Sequence, residues 1–378
     1  MRELNKIPKH WQVKKLGEVL KVSSGKGLKI NLLQGGNFPV YGGNGINGYH
    51  SEYLIEEPRL IIGRVGAKCG VTHITKPKSW VTDNALIVEP IIADFNIKFF
   101  QLKLEYENLN KLSVSTAQPV ISGSKIYDYE IVLPPLPEQL AIVSKIEELL
   151  SDLENGKQQL LTAQQQLKVY RQSLLKAAFE GRLTNKEVKE GELPNGWKWV
   201  KIDDIADSLD NMRKPVNKDQ RKKMIGEIPY YGANGRVDWV NDFIFNEPLV
   251  CVVEDETFIG RTIPFSYKII GKSWVNNHAH VLRAKSNTEI DFLNYQLSYY
   301  PFLPLTTGTT GRKKLTKAAL MNAPFVSCSL SEQHQIVEIL ESKLTVCDKI
   351  EETIAQSLQQ AEVLKQSILK KAFEGRLV

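Results

Sequence analysis

Several residue patterns that mark common protein classes are missing from this sequence. No run approaches the ~20 apolar residues that a helix needs to span a bilayer, and the charged start Met1-Arg2-Glu3 has no signal-peptide core. A soluble, cytoplasmic chain without a membrane partner is therefore expected. Only four cysteines occur, at 69, 251, 328 and 347, with no CxxC pair and no metal-ligand spacing, so they read as reduced structural thiols. Neither GxGxxG nor a P-loop is present, which removes the usual phosphate cradles. Leu133-Pro134-Pro135-Leu136 lacks both the polar and the aromatic residue that an adenine methyltransferase places around its Pro-Pro pair. No metal, cofactor or catalytic residue is expected on the chain itself.

Charge of one sign is scarce too. The net charge is +6, with 17 basic against 12 acidic residues in 1–135, 6 against 6 in 136–184, 20 against 17 in 185–329, and 6 against 8 in 330–378. The excess lies in the segments outside the helices described next, as in a nucleic-acid binder with neutral spacers, although excesses this small are common in ordinary domains. With 378 residues, two or more domains are expected, and 42% apolar residues allow each to bury a core.

What the sequence does have is a repeat. Leu136 to Leu183 returns without a gap as Leu330 to Leu377, with 20 of 48 positions identical. Glu138-Gln139 reappears as Glu332-Gln333, and Phe179-Glu180-Gly181-Arg182-Leu183 as Phe373-Glu374-Gly375-Arg376-Leu377. In the first copy Ile142, Ile146, Leu149, Leu153, Leu160, Ala163, Leu167, Tyr170 and Leu174 step by fours and threes, interrupted only by Gly156, the a/d seam of a heptad repeat. Ile336, Leu340, Cys347, Ile350, Ile354, Ala361, Leu364 and Ile368 follow the same seam in the second. Pro134, Pro135 and Pro137 mark the entry and Gly181 the exit of the first helix. At 1.5 Å per residue, such a helix is a rod of roughly 65 to 70 Å. A narrow seam on a lone helix would face water, so the two copies are expected to pair antiparallel within one molecule.

The intervening segments are diverged copies as well. Pro8-Lys9-His10-Trp11 answers Pro194-Asn195-Gly196-Trp197, and Phe38-Pro39-Val40-Tyr41-Gly42-Gly43-Asn44-Gly45 answers Ile228-Pro229-Tyr230-Tyr231-Gly232-Ala233-Asn234-Gly235. Asn-Gly between apolar runs predicts a hairpin in each. Leu60–Gly63 and Leu249–Val253 read as buried strands, Trp80–Val88 and Trp274–Leu282 as further strands, Phe99–Tyr106 and Phe292–Tyr299 as short helices, and Glu187–Gly196 as a polar linker. The expected fold class is α+β: two similar globular domains joined by two long antiparallel helices in a pseudo-twofold object. The expected divisions are 1–133 and 185–327 for the globular domains, 134–184 and 328–378 for the helices.

On the whole-chain duplication, the Leu133-Pro134-Pro135-Leu136-Pro137-Glu138-Gln139 entry and the Ala178-Phe179-Glu180-Gly181-Arg182-Leu183 ending, the chain resembles the specificity (S) subunit of type I restriction-modification systems. The second entry, Val326 to Gln333, departs by lacking the proline cluster. The resemblance implies two target-recognition domains, each reading one half of a split double-stranded DNA sequence. It also implies a helical spacer, two methyltransferase (M) subunits that dock around the pseudo-dyad and carry S-adenosylmethionine, and restriction (R) subunits that join them. The S subunit is non-catalytic in that family. The competing reading is a self-contained DNA methyltransferase or nuclease, and a third is a coiled-coil adaptor. Self-association through exposed seams is open when M is absent.

Phosphate and base contacts call for Lys, Arg, Asn and Gln on exposed loops. The candidates are Lys26, Lys29, Asn44, Arg64, Lys68 and Gln118 in the first domain. In the second they are Arg213, Lys214, Arg221, Lys222, Lys223, Asn234, Arg236, Arg261, Arg312, Lys313 and Lys314, with 221–223 and 312–314 the strongest clusters. Taken singly, each is better explained as a solvated surface charge, and only the set favours DNA contact. His278 and His280 are expected to share a strand face without a third metal ligand, and the acidic run Glu254-Asp255-Glu256 has no following lysine at nuclease spacing.

Overall fold

The computed structural model describes residues 7–29, 33, 35–66, 68–113, 119–189, 191–256, 258–308 and 313–378. The chain forms two compact units, residues 1–160 with 356–378 and residues 161–355.

In the first unit, Leu20–Ser24, Ala85–Pro90, Leu60–Gly63 and Thr72–Ile74 form a four-stranded antiparallel sheet in that order. Leu60, Ile61 and Ile62 are fully buried, which explains a strand with no polar alternation. A second, three-stranded sheet is built on the hairpin Phe38–Gly42 and Gly45–His50, whose first strand pairs in parallel with Trp80–Val81. The helix Ile97–Glu107 buries Phe99, Phe100 and Leu104 in the core. Its N-cap Asn96 accepts from the Phe99 N–H at 2.8 Å.

The second unit repeats the plan. Its four-stranded sheet runs Ala206–Ser208, Ala279–Ala284, Leu249–Val253, Ser266–Ile269. Its hairpin Ile228–Gly232 and Gly235–Val240 pairs in parallel with Lys272–Val275, and its helix is Ile290–Ser298. Even the irregularities recur: the hairpin register shifts at Val40/Tyr41 and again at Tyr230/Tyr231. Both tips close on a glycine at positive φ, Gly45 at 100° and Gly235 at 101°.

Two expectations need correction. The stretch 80–88 is not one strand but two, Trp80–Val81 and Ala85–Pro90, in different sheets; 274–282 divides in the same way. Thr82-Asp83-Asn84 and Asn276-Asn277-His278 are turn-forming triplets inside apolar runs, and the turn wins. His278 consequently lies in the turn and His280 on the strand, so they do not share a face.

Both repeats form 44-residue helices, Leu136–Phe179 and Leu330–Phe373. Within the first unit Ile142, Val143 and Ile146 pack in one cluster with Leu369, Ala372 and Phe373, and Lys157 meets Glu362 at 2.7 Å. Within the second, Leu174, Leu175 and Ala178 pack with Ile336, Val337 and Leu340, and Arg171 meets Asp348 at 2.5 Å. In each unit the start of one helix meets the end of the other, so the pairing is antiparallel. The seam is not buried throughout: Tyr170 is 47% exposed, Leu364 51% and Ile350 43%. Exposed positions alternate with buried ones on the same seam, Cys347 at 1% and Ile354 at 5%, so the heptad face is not buried continuously. Among the described residues, no helix is long and apolar enough to cross a membrane.

Candidate nucleic-acid interface

Each unit gathers its loops at one end of its two sheets. In the first, the Gly25 N–H donates to the Ala85 carbonyl, Lys26 N–H to Val81 and Arg64 N–H to Asn84. A Cβ on Gly43 would come within 2.9 Å of the Asn84 carbonyl, and one on Gly25 within 2.3 Å of the Thr82 carbonyl, so the loops close together only because these positions are glycine. This brings Lys26, Lys29, Asn44, Arg64 and Lys68 to one end, all exposed except the half-buried Arg64. Arg64 Nη1 donates to the Ser24 hydroxyl at 3.4 Å. Gln118 lies outside the described residues. Exposed Asp83 and Asn84 sit at the same end. Sequence reasoning misses them, because the apolar residues on either side make them look like strand interior.

In the second unit Arg213 and Lys314 meet on Glu254, and Arg261 meets Asn234. Lys214 presents its carbonyl to the Trp274 indole N–H at 2.8 Å, as Lys26 does to Trp80 at 2.9 Å. Arg261 Nη2 donates to the Asn234 side-chain oxygen at 2.9 Å. Lys313–Lys314 pairs as a short strand with Asp255–Glu256. Arg312 lies outside the described residues. Arg221, Lys222 and Lys223 stand apart on and beside the short helix Lys218–Arg221: Arg221 bonds Asp238 at 2.9 Å and lies over the Tyr230 ring, while Lys222 pairs with Asp219. Arg236 is exposed and stacks over Trp239 at 4.4 Å.

Arg213 faces inward. Its guanidinium donates to Glu254 at 2.5 Å and to the Ala279 carbonyl at 2.7 Å, and lies 3.4 Å from Asp210. His280 Nδ1 meets Asp210 at 2.5 Å. Burial pushes the Asp210 carboxyl upward, but hydrogen bonding and charge from His280, with Arg213, outweigh it and hold Asp210 below the usual carboxylate range. Glu254 is held low in the same way, burial being outweighed by Arg213, His280 and Lys314. Asp210, Glu254 and His280 bring ligand atoms within 4.8 Å of one another, a metal-like spacing, but Arg213 and Lys314 already supply cations to these carboxylates. Asp255 is engaged by His278 Nδ1 at 2.7 Å.

A family model for the type I restriction modification DNA specificity domain matches residues 8–163 and again 194–360. The chain is 24% identical over 413 residues to the type I restriction enzyme EcoDI specificity subunit of Escherichia coli, covering 98% of this chain and 90% of that one. The EcoBI specificity subunit of Escherichia coli is 26% identical over 92% of this chain and 78% of that one. In fold it is similar to a chain solved to show the structural basis of complex assembly and conformational transition of the type I R-M system, with a TM-score of 0.74 at 18% identity over 98% of this chain and 99% of that chain. The HsdS subunit from Thermoanaerobacter tengcongensis gives 0.61 at 17% identity, over 98% of each chain.

Proposed function

This chain belongs to the type I restriction modification DNA specificity family, and we propose from that membership that each unit reads one half of a split DNA sequence. The helices set the gap between the halves and seat methyltransferase subunits, which carry S-adenosylmethionine and the reaction; restriction subunits complete the assembly. The specificity chain is not itself an enzyme.

The observation that carries this reading is a shared frame with different contents. Two sheets and a bulged hairpin that closes on a positive-φ glycine recur in both units, yet the side chains at the loop end differ. Lys26, Lys29, Asn44, Arg64 and Lys68 stand in one unit, against Lys214, Asn234, Arg261, Lys313 and Lys314 in the other. Unlike readers on one frame suit an asymmetric bipartite site. Lysines there serve phosphates, and Asn or Arg base edges. The helices support the seating of two like partners, since the same repeat positions, Val169-Tyr170 and Val363-Leu364, leave apolar side chains exposed.

Exchanging residues 1–133 for the matching segment of another specificity chain, in complex with M, tests the assignment. Mapping of methylated bases should show one half-site changed and the other kept; both changed, or neither, refutes it. Removing seven residues from both helices shortens each by about 10.5 Å, or about three base pairs, and should shorten the gap without altering either half. Methyl transfer by the purified chain alone would favour the competing enzyme reading.

A further inference from the structure

Sheet register makes three positions of one unit equivalent to three of the other. Ser24 pairs with Leu86 across the first four-stranded sheet. In the second sheet Ser208 pairs with Leu282, so two residues further along Asp210 stands opposite His280, at the place of Ser24 and Leu86. Arg64 corresponds to Glu254. Each receives a late-loop N–H on its carbonyl, from Ile121 at 2.9 Å and Leu315 at 2.8 Å, and each donates its own N–H to the turn that splits the strands, at Asn84 and His278. The same backbone sites thus carry Ser, Arg and Leu in the first unit, and Asp, Glu and His in the second.

The second set is tied into a closed network. His280 is 1% exposed; Nδ1 faces Asp210 and Nε2 faces the Leu315 carbonyl at 2.8 Å. With Asp210 ionised, both of these partners are hydrogen-bond acceptors. The other Asp210 oxygen accepts the Val281 N–H at 2.9 Å. Glu254 is held by Arg213 from one loop and by Lys314, at 3.1 Å, from another. A buried polar network is favourable only when every member is placed, so it selects one arrangement of the segments that contribute to it. Its yield is conformational specificity more than stability. Here the segments are the loop bearing Arg213 and the strand Lys313–Lys314, at the reading end.

We infer that Asp210, Glu254 and His280 are positioning residues that fix the Arg213 loop and the Lys313–Lys314 strand, and so set the sequence preference of the second unit alone. This rests on the recognition reading above. In the first unit Ser24, Arg64 and Leu86 occupy those sites, and Arg64 remains half-exposed at the loop end.

The test uses the full chain in complex with its methyltransferase subunits, and duplexes carrying the mapped site with single-base changes in one half or the other. The readout is the ratio of methylation rates on correct and altered duplexes. His280→Leu installs the first unit's residue, and the near-isosteric Asp210→Asn serves where the larger change prevents folding. Either should lower the ratio about tenfold for changes in the half read by the second unit, near the low end of one base contact, and leave the ratio for the other half intact. Unchanged ratios in both halves overturn the clamp. An equal fall in both halves with a lower melting temperature also overturns it, since that marks general loss of structure. An unaltered complex that discriminates in neither half overturns the recognition reading, and the clamp with it.

Discussion

Gly375 closes against Pro8: a Cβ built on the glycine would lie 2.4 Å from the proline Cγ, and Gly375 itself sits at φ 69°. Gly181, at φ 75°, meets Pro194 in the same way at 2.2 Å. The repeated Phe-Glu-Gly-Arg-Leu ending and the repeated proline-tryptophan opening are therefore two halves of one joint, made once in each unit. Left-handed backbone costs a residue with a Cβ about 1–2 kcal/mol, and forcing a methyl into a filled contact about 1–3 more. Gly375→Ala or Gly181→Ala should each lower the unfolding free energy by roughly 2–5 kcal/mol. Denaturant midpoints of the single variants measure this, and a loss under about 0.5 kcal/mol would mean the joint is slack.

The Glu-Gln pair that opens each helix has an equally local reason. Gln139, fully buried, donates to the carbonyls of Asp94 and Pro134, both at 3.0 Å, and accepts the Asn96 N–H at 3.0 Å. Gln333 does the same for Asn287, Cys328 and Glu289. One amide thus ties the start of the long helix to the start of the short domain helix. Gln139→Leu keeps the volume but strands one buried and two part-buried backbone groups, so about 1–3 kcal/mol should be lost, with a similar loss for Gln333→Leu. Gln139→Glu turns a carboxylate oxygen toward the two carbonyls that the amide donates to, so it should cost at least as much as Leu; a smaller cost would refute the donor role.

The long helices are legible in the sequence because their period is local: apolar residues at fours and threes declare a helix whatever surrounds them. The loop clusters are only half legible. Turn chemistry places the hairpin tips, since Asn44-Gly45 and Asn234-Gly235 announce themselves, but Trp80–Val88 passes for one strand because apolar residues flank Asp83 and Asn84 on both sides. Arg213 resembles a surface cation in a polar stretch. Its carboxylate partner Glu254 is brought there by sheet register, and register between distant strands leaves no trace in the nearby sequence. Tyr170 and Leu364 show the opposite failure, obeying the heptad and yet lying outside.

Antiparallel pairing of the helices should depend on apolar contact and hardly on charge. Arg171 contacts Asp348 and Glu351 at 2.5 and 3.3 Å, but both carboxylates are largely in solvent. Exposed pairs of this kind contribute under about 1 kcal/mol, less at high salt. Ile336 is fully buried beside the first helix's Leu174 cluster, where truncation to Ala costs about 2–5 kcal/mol. Arg171→Ala should therefore shift the melting temperature little, and Ile336→Ala substantially. The reverse order would show that ion pairs hold the helices.

Acid should act on the second unit through Asp210 and Glu254. Both carboxyls lie below their ordinary range in the folded chain because His280, Arg213 and Lys314 outweigh the penalty of burial. A group whose folded value is depressed binds its proton more readily when unfolded. Its stabilisation is complete above the ordinary carboxylate value near ~4, and it disappears as the pH falls through the lower folded value. Thermal unfolding of the full chain should accordingly become easier below about pH 4. Glu138 and Asp238 are depressed too and add to the same slope, so the slope alone does not isolate the network. Asp210→Asn does: it removes the ionisation, so the variant should be less stable than the natural chain at neutral pH and lose less on acidification. Parallel melting curves for the two chains from about pH 7 down to about pH 3, a range that spans the carboxylate titration, would mean that Asp210 carries no such linkage.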